Sequence, residues 1–183
     1  ENILLSNCHG KTIAEVGCGT SRLASKLIEA GAEHYHGFDI SSVAIERATA
    51  CAAQAEISDK VSYTVANIDS LPNLHTDIVF SMGLLDWLSD TEIEMLLHKS
   101  AQSDCLHSFS ESRFQLSQYL HRAYVYIAYG HRTGSYIPRY LKANWLKGIV
   151  EQHSRKPVHF IRDQKLSFGA FVSTLPQNHG SLQ

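Results

Sequence analysis

The chain has 183 residues, of which 44% are hydrophobic and 19% charged, and its formal net charge is −2. These values are ordinary for one globular domain with a sizeable core. No stretch approaches the roughly 18 uninterrupted apolar residues of a membrane helix, and the first residues show no signal-peptide pattern. The four cysteines form no C-x-x-C pair, and the eleven histidines show no zinc-ligand spacing. We therefore expect a cytoplasmic protein with free thiols and no metal site.

Charge is distributed unevenly along the chain. Residues 1–110 contain 6 Lys or Arg against 15 Asp or Glu, whereas residues 111–183 contain 10 against 3. A basic C-terminal part would attract an anionic substrate or an acidic partner. A solvated surface with uneven charge is an equal alternative.

The first 110 residues alternate short β-rich runs with segments of helical period. Strands are predicted at residues 11–16, 34–39, 61–65, 77–81 and 105–109. Helices are predicted at residues 20–31, from Ser41 or Ser42 to about Ala55, and after a cap at Asp90. This rhythm predicts an α/β fold with a doubly wound parallel sheet and helices on both faces. Ligands of such sheets bind beyond the carboxyl ends of the strands.

The part after residue 110 has a different pattern. Residues 112–129 are apolar and aromatic at helical spacing, and a further helix is predicted from a cap at Asn144. Residues 157–161 and 166–172 are predicted to form an antiparallel hairpin. We interpret residues 1–183 as a single domain, with a helical insert around residues 111–153 that covers part of the substrate pocket.

A glycine-rich loop, Gly17-Cys18-Gly19-Thr20-Ser21, separates the first predicted strand from the first predicted helix. Such a loop lets the backbone approach a nucleotide-like ligand, and dinucleotide-binding folds use it too. Here Arg22 replaces the third glycine of G-x-G-x-x-G, and Glu15 would repel a pyrophosphate but attract an ammonium or sulfonium group. Asp39 ends the second strand, where a carboxylate accepts hydrogen bonds from ribose hydroxyls. Together these features favour S-adenosylmethionine over a dinucleotide.

The segment Glu15-Val16-Gly17-Cys18-Gly19-Thr20-Ser21 resembles motif I of the class I S-adenosylmethionine-dependent methyltransferases. Residues 37–41, 66–72 and 77–88 are similar to the family's strand-two acidic motif, its adenine-flanking segment, and its fourth strand with the following loop. The resemblance covers roughly residues 10–173 and is strongest from 11 to 110. It implies a Rossmann-like sheet of seven strands, mostly parallel, that ends in an antiparallel hairpin.

The resemblance also implies a cofactor site. Glu15 would lie near the methionine ammonium, directly or through water, Asp39 would bind the ribose hydroxyls, and Ile40 would pack on the adenine. For Glu15 and Asp39 the alternative is that each caps the helix that follows. The residues that the resemblance assigns to the cofactor are Glu15, Gly17, Cys18, Gly19, Asp39, Ile40, Asn67, Ile68, Asp69 and Met82.

Two positions depart from the family pattern. Ser21 stands at the usual third glycine of motif I, which is tolerable if this position keeps helical dihedral angles. Asn67 stands where the family commonly has Asp, so weaker adenine recognition is expected, and Asp69 is an alternative for that role. Ile68 would offer its backbone to the adenine edge, and Met82 would lie near the sulfonium.

The acceptor side of the site is less defined. Asp86, Trp87 and Tyr124 are candidate substrate contacts, although Trp87 is equally a core residue and Tyr124 belongs to an aromatic stripe typical of a core. Asp86, His107 and His131 are candidate general bases, needed only if the acceptor loses a proton early.

The sequence therefore predicts methyl transfer from S-adenosylmethionine to a small molecule, with an anionic acceptor suggested by the basic C-terminal part. A binding or regulatory domain of the same fold without catalysis is the main alternative. An RNA methyltransferase is disfavoured because the chain is slightly acidic and shows no appended nucleic-acid-binding module. An NAD-dependent oxidoreductase is disfavoured by Glu15 and by the missing third glycine.

Overall fold

The apolar runs of the sequence form the strands of one sheet in a computed structural model, which describes residues 1–113, 139–162 and 169–176. The strands are β1 (Thr12–Val16), β2 (His34–Asp39), β3 (Val61–Val65), β4 (Ile78–Ser81), β5 (Asp104–Ser110), β6 (His159–Arg162) and β7 (Gly169–Ser173). Among the described residues they form a seven-stranded sheet in the order β3-β2-β1-β4-β5-β7-β6.

The direction of the strands matches the predicted fold class. Strands β1 to β5 run parallel, and the order reverses between β1 and β4. Strand β7 pairs antiparallel with both β5 and β6. This is a doubly wound, mostly parallel sheet with a C-terminal antiparallel hairpin, as predicted. The switch point lies at the carboxyl ends of β1 and β4, where such sheets bind their ligands.

Helices cover both faces of the sheet. They are α1 (Asn2–Asn7), α2 (Ala24–Glu29), α3 (Ser42–Gln54), a 3₁₀ turn at Leu85–Trp87, α4 (Asp90–Lys99) and α5 (Ala143–Ser154). Leu4 and Leu27, from α1 and α2, pack with Ile13 on one face. Leu96 and Leu146, from α4 and α5, belong to the core on the other face. Among the described residues, no helix is long and apolar enough to cross a membrane.

Three predicted helix starts need correction. Helix α2 begins at Ala24 rather than near residue 20, because Ser21 adopts a φ of +59° that a right-handed helix cannot contain. Helix α4 is capped by Ser89, not Asp90: the Ser89 side chain accepts from the Glu92 amide, and the Glu92 carboxylate accepts from the Ser89 amide.

The third correction concerns the C-terminal helix. Helix α5 follows Lys142, which supplies no side-chain cap, and Asn144 lies inside its first turn. Helix α1 was not predicted at all. The predicted helical stretch at residues 112–129 falls almost entirely outside the described residues, as do Tyr124 and His131.

Candidate functional site

The glycine loop leaves the carboxyl end of β1 in left-handed backbone conformations. Gly17 has a φ of +76° and Gly19 a φ of +53°, values that residues with a side chain adopt only at a cost. A Cβ atom on Gly17 would stand 3.2 Å from Cδ1 of Leu84, in the loop after β4. The amides of Gly17 and Cys18 both donate to the carbonyl of Phe38, at 2.7 and 3.0 Å. The loop is thus pinned to the end of β2.

Ser21 also has a left-handed backbone, so the condition of helical dihedral angles at this position is not met. Its φ is +59°, a conformation that costs more for a residue with a Cβ atom than for glycine. The side chain is buried and accepts a hydrogen bond from the Tyr63 hydroxyl at 3.1 Å. This contact offsets part of the conformational cost.

Asp39 connects the glycine loop to helix α3. Its Oδ2 accepts from the Gly19 amide at 2.7 Å, and its Oδ1 accepts from the Ser41 amide at 2.9 Å. The Ser41 side chain then caps α3 by accepting from the Ala44 amide at 3.2 Å. A carboxylate has about four acceptor positions, so two remain for further donors. Asp39 therefore takes part in the turn before α3 and retains acceptor capacity.

Glu15 lies almost buried beneath the loop, with 5% of its surface exposed. Its carboxyl group accepts a hydrogen bond from the hydroxyl of Tyr35, which is fully buried on β2. Burial raises the pKa of Glu15 to about 7, the Tyr35 bond opposes that rise, and the charge of Asp39 adds to it. No lysine, arginine or histidine of the described residues forms an ion pair with Glu15.

The thiol of Cys18 responds to the same environment. Burial and the nearby charges of Glu15 and Asp39 raise the pKa of Cys18 to about 12. The thiol therefore stays protonated at neutral pH. The loop is a site where two carboxyl groups and a buried thiol meet without a cation from the described residues, which is an arrangement that favours a cationic ligand.

Next to Asp39, the sheet edge presents an apolar surface and a polar turn. The Ile40 side chain is 73% exposed, so its apolar surface is accessible to a flat apolar ligand. The Asn67 Oδ1 accepts from the Ser70 amide at 2.8 Å, so its side-chain oxygen is engaged within the turn.

Lys99, at the end of α4, also binds the turn that contains Asn67 and Ser70. Its Nζ donates to the carbonyls of Ile68, Asp69 and Leu71 at 2.9, 2.7 and 2.6 Å. Sequence patterns did not single out Lys99, since a lysine in a last helical turn is ordinary. Its role becomes visible only when the turn is folded against α4.

The loop after β4 completes the rim of the site. Met82 is 39% exposed and Trp87 is 38% exposed. Between them, Gly83 has a φ of +73° and donates its amide to the Ser108 hydroxyl at 2.6 Å. Leu84 faces Gly17 across the switch point. Met82 therefore lies in the same loop as Leu84, which faces the glycine loop.

Two candidate general bases are engaged in structural contacts. The Asp86 carboxylate accepts from the Ser110 amide and hydroxyl, both at 2.7 Å. His107 is fully buried, its Nδ1 lies 2.9 Å from the Ser81 hydroxyl, and its Nε2 has no partner among the described residues. Burial lowers the pKa of His107 to about 4, so its imidazole is neutral at pH 7. His131, the third candidate, lies outside the described residues.

The end of β5 carries a charged cluster around Glu111. Glu111 is buried and binds Arg113 at 2.8 Å and Arg162 of β6 at 3.0 Å. These two arginines hold the pKa of Glu111 below its usual range. The cluster ties the hairpin to the end of β5.

A cavity of about 280 Å³ lies at the opposite, amino-terminal edge of the sheet. Its lining includes Lys11, Asp77, Asp104 and Lys156, and the last two form an ion pair at 2.8 Å. The residues that begin β1, β4 and β5 form this cavity, so it is remote from the glycine loop at their other ends.

The comparisons with known proteins agree with this geometry. A family model described as a methyltransferase domain matches residues 13–103, which run from β1 to the residue before β5. No curated protein sequence matches the chain.

Solved structures of similar fold cover nearly the whole chain. Magnesium protoporphyrin IX methyltransferase from Synechocystis PCC 6803, solved with bound S-adenosylhomocysteine, has a TM-score of 0.69 at 17% identity, covering 92% of this chain and 75% of its own. An S-adenosylmethionine-dependent methyltransferase from Mesorhizobium loti has a TM-score of 0.69 at 16% identity and 94% coverage of both chains.

The mitomycin 7-O-methyltransferase is a third such structure, with a TM-score of 0.67 at 13% identity; the match covers 90% of this chain and 48% of that enzyme. The chain thus spans about half the length of this larger enzyme. At these identities the solved structures establish the fold. The matched family model and these structural neighbours are class I methyltransferases that use S-adenosylmethionine, and this chain has their fold.

Proposed function

We propose that this chain binds S-adenosylmethionine at the glycine loop and transfers its methyl group to a small-molecule acceptor. The observation that carries the proposal is the anionic environment of the loop. Glu15 and Asp39 flank it and no cation of the described residues pairs with Glu15. A ligand that combines an ammonium, a sulfonium and a ribose matches this charge, whereas a pyrophosphate does not.

Each part of the cofactor has a matching group at the rim. The two remaining acceptor positions of Asp39 suit the ribose hydroxyls, and the exposed Ile40 suits the adenine face. Ile68 and Asp69 lie in the turn that Lys99 holds, where they would face the adenine edge together with Asn67. Gly17, Cys18 and Gly19 would line the methionine part, and Met82 would lie near the sulfonium.

The cofactor supplies the reactive methyl group, and the protein would supply position and electrostatics. With Asp86 bonded to Ser110 and His107 buried and neutral, the described residues offer no exposed, unengaged carboxylate or imidazole among the three candidate bases. This supports an acceptor that reacts without early removal of its proton, or one whose base lies in residues 114–138.

The acceptor would bind between the β4 loop and the part of the chain after residue 110. Trp87 and Asp86 of the 3₁₀ turn, together with Tyr124, are the proposed contacts, and residues 111–153 would form the cover of this pocket. The excess of basic residues after 110 supports an anionic acceptor. The magnesium porphyrin and mitomycin enzymes are structural relatives that act on small molecules, as their names state.

Calorimetry with S-adenosylmethionine and S-adenosylhomocysteine tests the cofactor part of the proposal. We expect both to bind in the micromolar range and NADH not to bind. Methyl transfer is then measured against a panel of carboxylate, phosphate and phenol metabolites with a radiolabelled methyl group. Absence of binding by both cofactor forms would overturn the proposal.

The engaged state of Asp86 and His107 favours one second candidate, a domain that binds the cofactor without catalysis. This candidate predicts the same binding isotherms but no transfer to any acceptor. Binding together with transfer to a single acceptor class would exclude it.

A further inference from the structure

A buried hydroxyl group holds the acidic residue of the cofactor site. The Tyr35 hydroxyl donates to Oε2 of Glu15, and Tyr35 is fully buried while Glu15 is 5% exposed. The two residues lie on adjacent parallel strands, where Ile13 pairs with Tyr35 and Glu15 pairs with Gly37. Tyr35 thus reaches the carboxyl group diagonally across the strand pair, whereas the space beside Gly37 is occupied by the Tyr63 ring and Cys18 Sγ.

The other neighbours of Glu15 are apolar, neutral or acidic. Phe80 pairs with it from β4 and contributes no polar group. Asp39 at the end of β2 and the Cys18 thiol in the loop interact with it electrostatically. Tyr63 on β3 packs edge-on against Tyr35, with ring centroids 6.1 Å apart, but its hydroxyl donates to Ser21 instead.

This environment leaves the protonation of Glu15 balanced near neutral pH. Burial raises the pKa of Glu15 to about 7, and Asp39 pushes it in the same direction, while the Tyr35 hydrogen bond lowers it. A cation placed beside the carboxyl group would favour the ionised form, because opposite charges attract strongly where water is excluded.

We propose that Tyr35 is a positioning residue of the cofactor site: its hydroxyl holds the buried Glu15 carboxyl group, and cofactor binding removes one proton from that group. The inference rests on the proposed function, since the ammonium group of the cofactor is the cation. On binding, the O–H bond of the carboxyl group breaks, the proton passes to solvent, and the ammonium takes over the charge balance.

The sign of the pH dependence follows from the linkage between protonation and binding. Below the pKa of the free protein, binding must first ionise Glu15, so affinity falls as pH decreases. For a free pKa near 7 and a much lower pKa in the complex, affinity is about tenfold weaker at pH 6 than at pH 8. An ordinary carboxylate, ionised throughout this range, would show no such change.

The experiment measures S-adenosylhomocysteine binding by calorimetry at pH 6, 7 and 8, in pairs of buffers with different ionisation enthalpies. This ligand keeps the ammonium and cannot transfer a methyl group. For the wild type we expect the tenfold change in Kd and a net proton release on binding that is largest near and below pH 7. Glu15→Gln removes the ionisable group, and its Kd is expected to be independent of pH.

Tyr35→Phe and Tyr63→Phe form a matched pair, because each removes one hydroxyl from the same pair of packed rings. Tyr35→Phe removes the hydrogen bond that favours ionised Glu15. The midpoint of the pH dependence of Kd therefore shifts to higher pH, and the affinity at pH 8 decreases. Tyr63→Phe is expected to keep the wild-type midpoint. A purely structural role of Tyr35 would change Kd equally at all pH values, and that result would overturn the assignment.

Failure of this inference is distinguishable from failure of the proposed function. Binding with the same Kd at pH 6 and pH 8, and no proton release, would overturn the inference alone. Absence of binding at every pH would overturn the proposed function and the coupling together. Infrared titration of the ligand-free protein then tests the hydrogen bond from Tyr35 to Glu15. A protonated-carboxyl band that disappears near pH 7, is absent in Glu15→Gln and persists to higher pH in Tyr35→Phe supports the inference. Absence of this band in the wild type overturns the inference.

Discussion

The Gly19 amide donates to the Asp39 carboxylate at 2.7 Å, which joins the loop after β1 to the end of β2. The same carboxylate accepts from the Ser41 amide at the start of α3. One side chain therefore fixes the loop, the helix and, in the proposed function, the ribose. Loss of this group is expected to affect binding more than any other single truncation at the rim.

Asp39→Ala is expected to weaken S-adenosylhomocysteine binding by about 10- to 100-fold, because hydrogen bonds to a charged group contribute about 1.5–3 kcal/mol. Calorimetry at pH 8 measures the change. Asp39→Asn is the matched control, since it keeps the shape and one acceptor but loses the charge, and its effect is expected to be smaller. If Asp39→Ala and Asp39→Asn both bind S-adenosylhomocysteine as tightly as the wild type, the ribose role of Asp39 is contradicted.

Ser21 predicts a stabilising substitution. A residue with a Cβ atom in the left-handed region costs about 1 kcal/mol relative to glycine, and Ser21 has a φ of +59°. In a Tyr63→Phe background, where the hydroxyl that bonds Ser21 is absent, Ser21→Gly is expected to raise the free energy of unfolding by about 0.5–1 kcal/mol. Urea denaturation measures it.

Glu56→Gly provides the matched control for backbone conformation. Glu56 has a φ of +56° after the end of α3 and is exposed. Glu56→Gly should raise the free energy of unfolding by a similar amount without changing the glycine loop. If Glu56→Gly stabilises the protein and Ser21→Gly in the Tyr63→Phe background does not, the backbone of Ser21 is not under the inferred strain.

The Glu15 carboxyl group predicts an unusual pH dependence of stability. Its folded pKa is raised to about 7, mainly by burial, so its contribution is fully present below the unfolded pKa and is lost as pH rises through 7. Glu15→Gln removes this penalty while keeping an acceptor for Tyr35. The variant is expected to be more stable than the wild type by about 1–3 kcal/mol at pH 8 and nearly equal to it at pH 4 to 5.

Urea denaturation of the ligand-free protein at pH 5 and pH 8 measures this difference. Glu46→Gln, on the exposed face of α3, is a control that changes the same charge at the surface and should show little dependence on pH. A stability difference for Glu15→Gln that is the same at both pH values would contradict the buried, ionisable state of Glu15.

The extent to which the sequence predicts this structure follows from the range of the interactions. Strands β2 and β3 match their predicted bounds because alternation and turn residues are local signals. Ser89 and Glu92 have the capping-box spacing, although the predicted cap was Asp90. Asp90 is also a common cap, so the local sequence does not rank Ser89 above Asp90.

The contacts within the site depend on strand pairing, which local patterns do not reveal. Tyr35 reaches Glu15 only in the register in which Glu15 pairs with Gly37. Likewise, the left-handed backbone of Ser21 and the reach of Lys99 to three carbonyls result from how the loops fold over neighbouring elements. The sequence identified the motif and its ligand class, whereas the support beneath the motif required the structure.

Lys99 is expected to stabilise the turn at residues 67–71, which the proposed function places beside the adenine. Its Nζ donates to three carbonyls at 2.6–2.9 Å, and hydrogen bonds from a charged donor contribute about 1.5–3 kcal/mol each in favourable cases. Lys99→Met keeps the length of the side chain but removes all three donors. We expect a loss of about 2–3 kcal/mol of unfolding free energy and a weaker affinity for S-adenosylhomocysteine.

Lys147→Met separates this effect from the loss of a surface charge. Among the described residues, Lys147 forms a half-exposed ion pair with Glu151 on α5 at 3.6 Å, so its loss should cost about 0.5 kcal/mol or less. Adenosine binding sharpens the test, because it contains the adenine and ribose but not the methionine part. If Lys99→Met weakens adenosine and S-adenosylhomocysteine by the same factor, the turn acts at the adenine; a loss confined to S-adenosylhomocysteine would place its effect elsewhere.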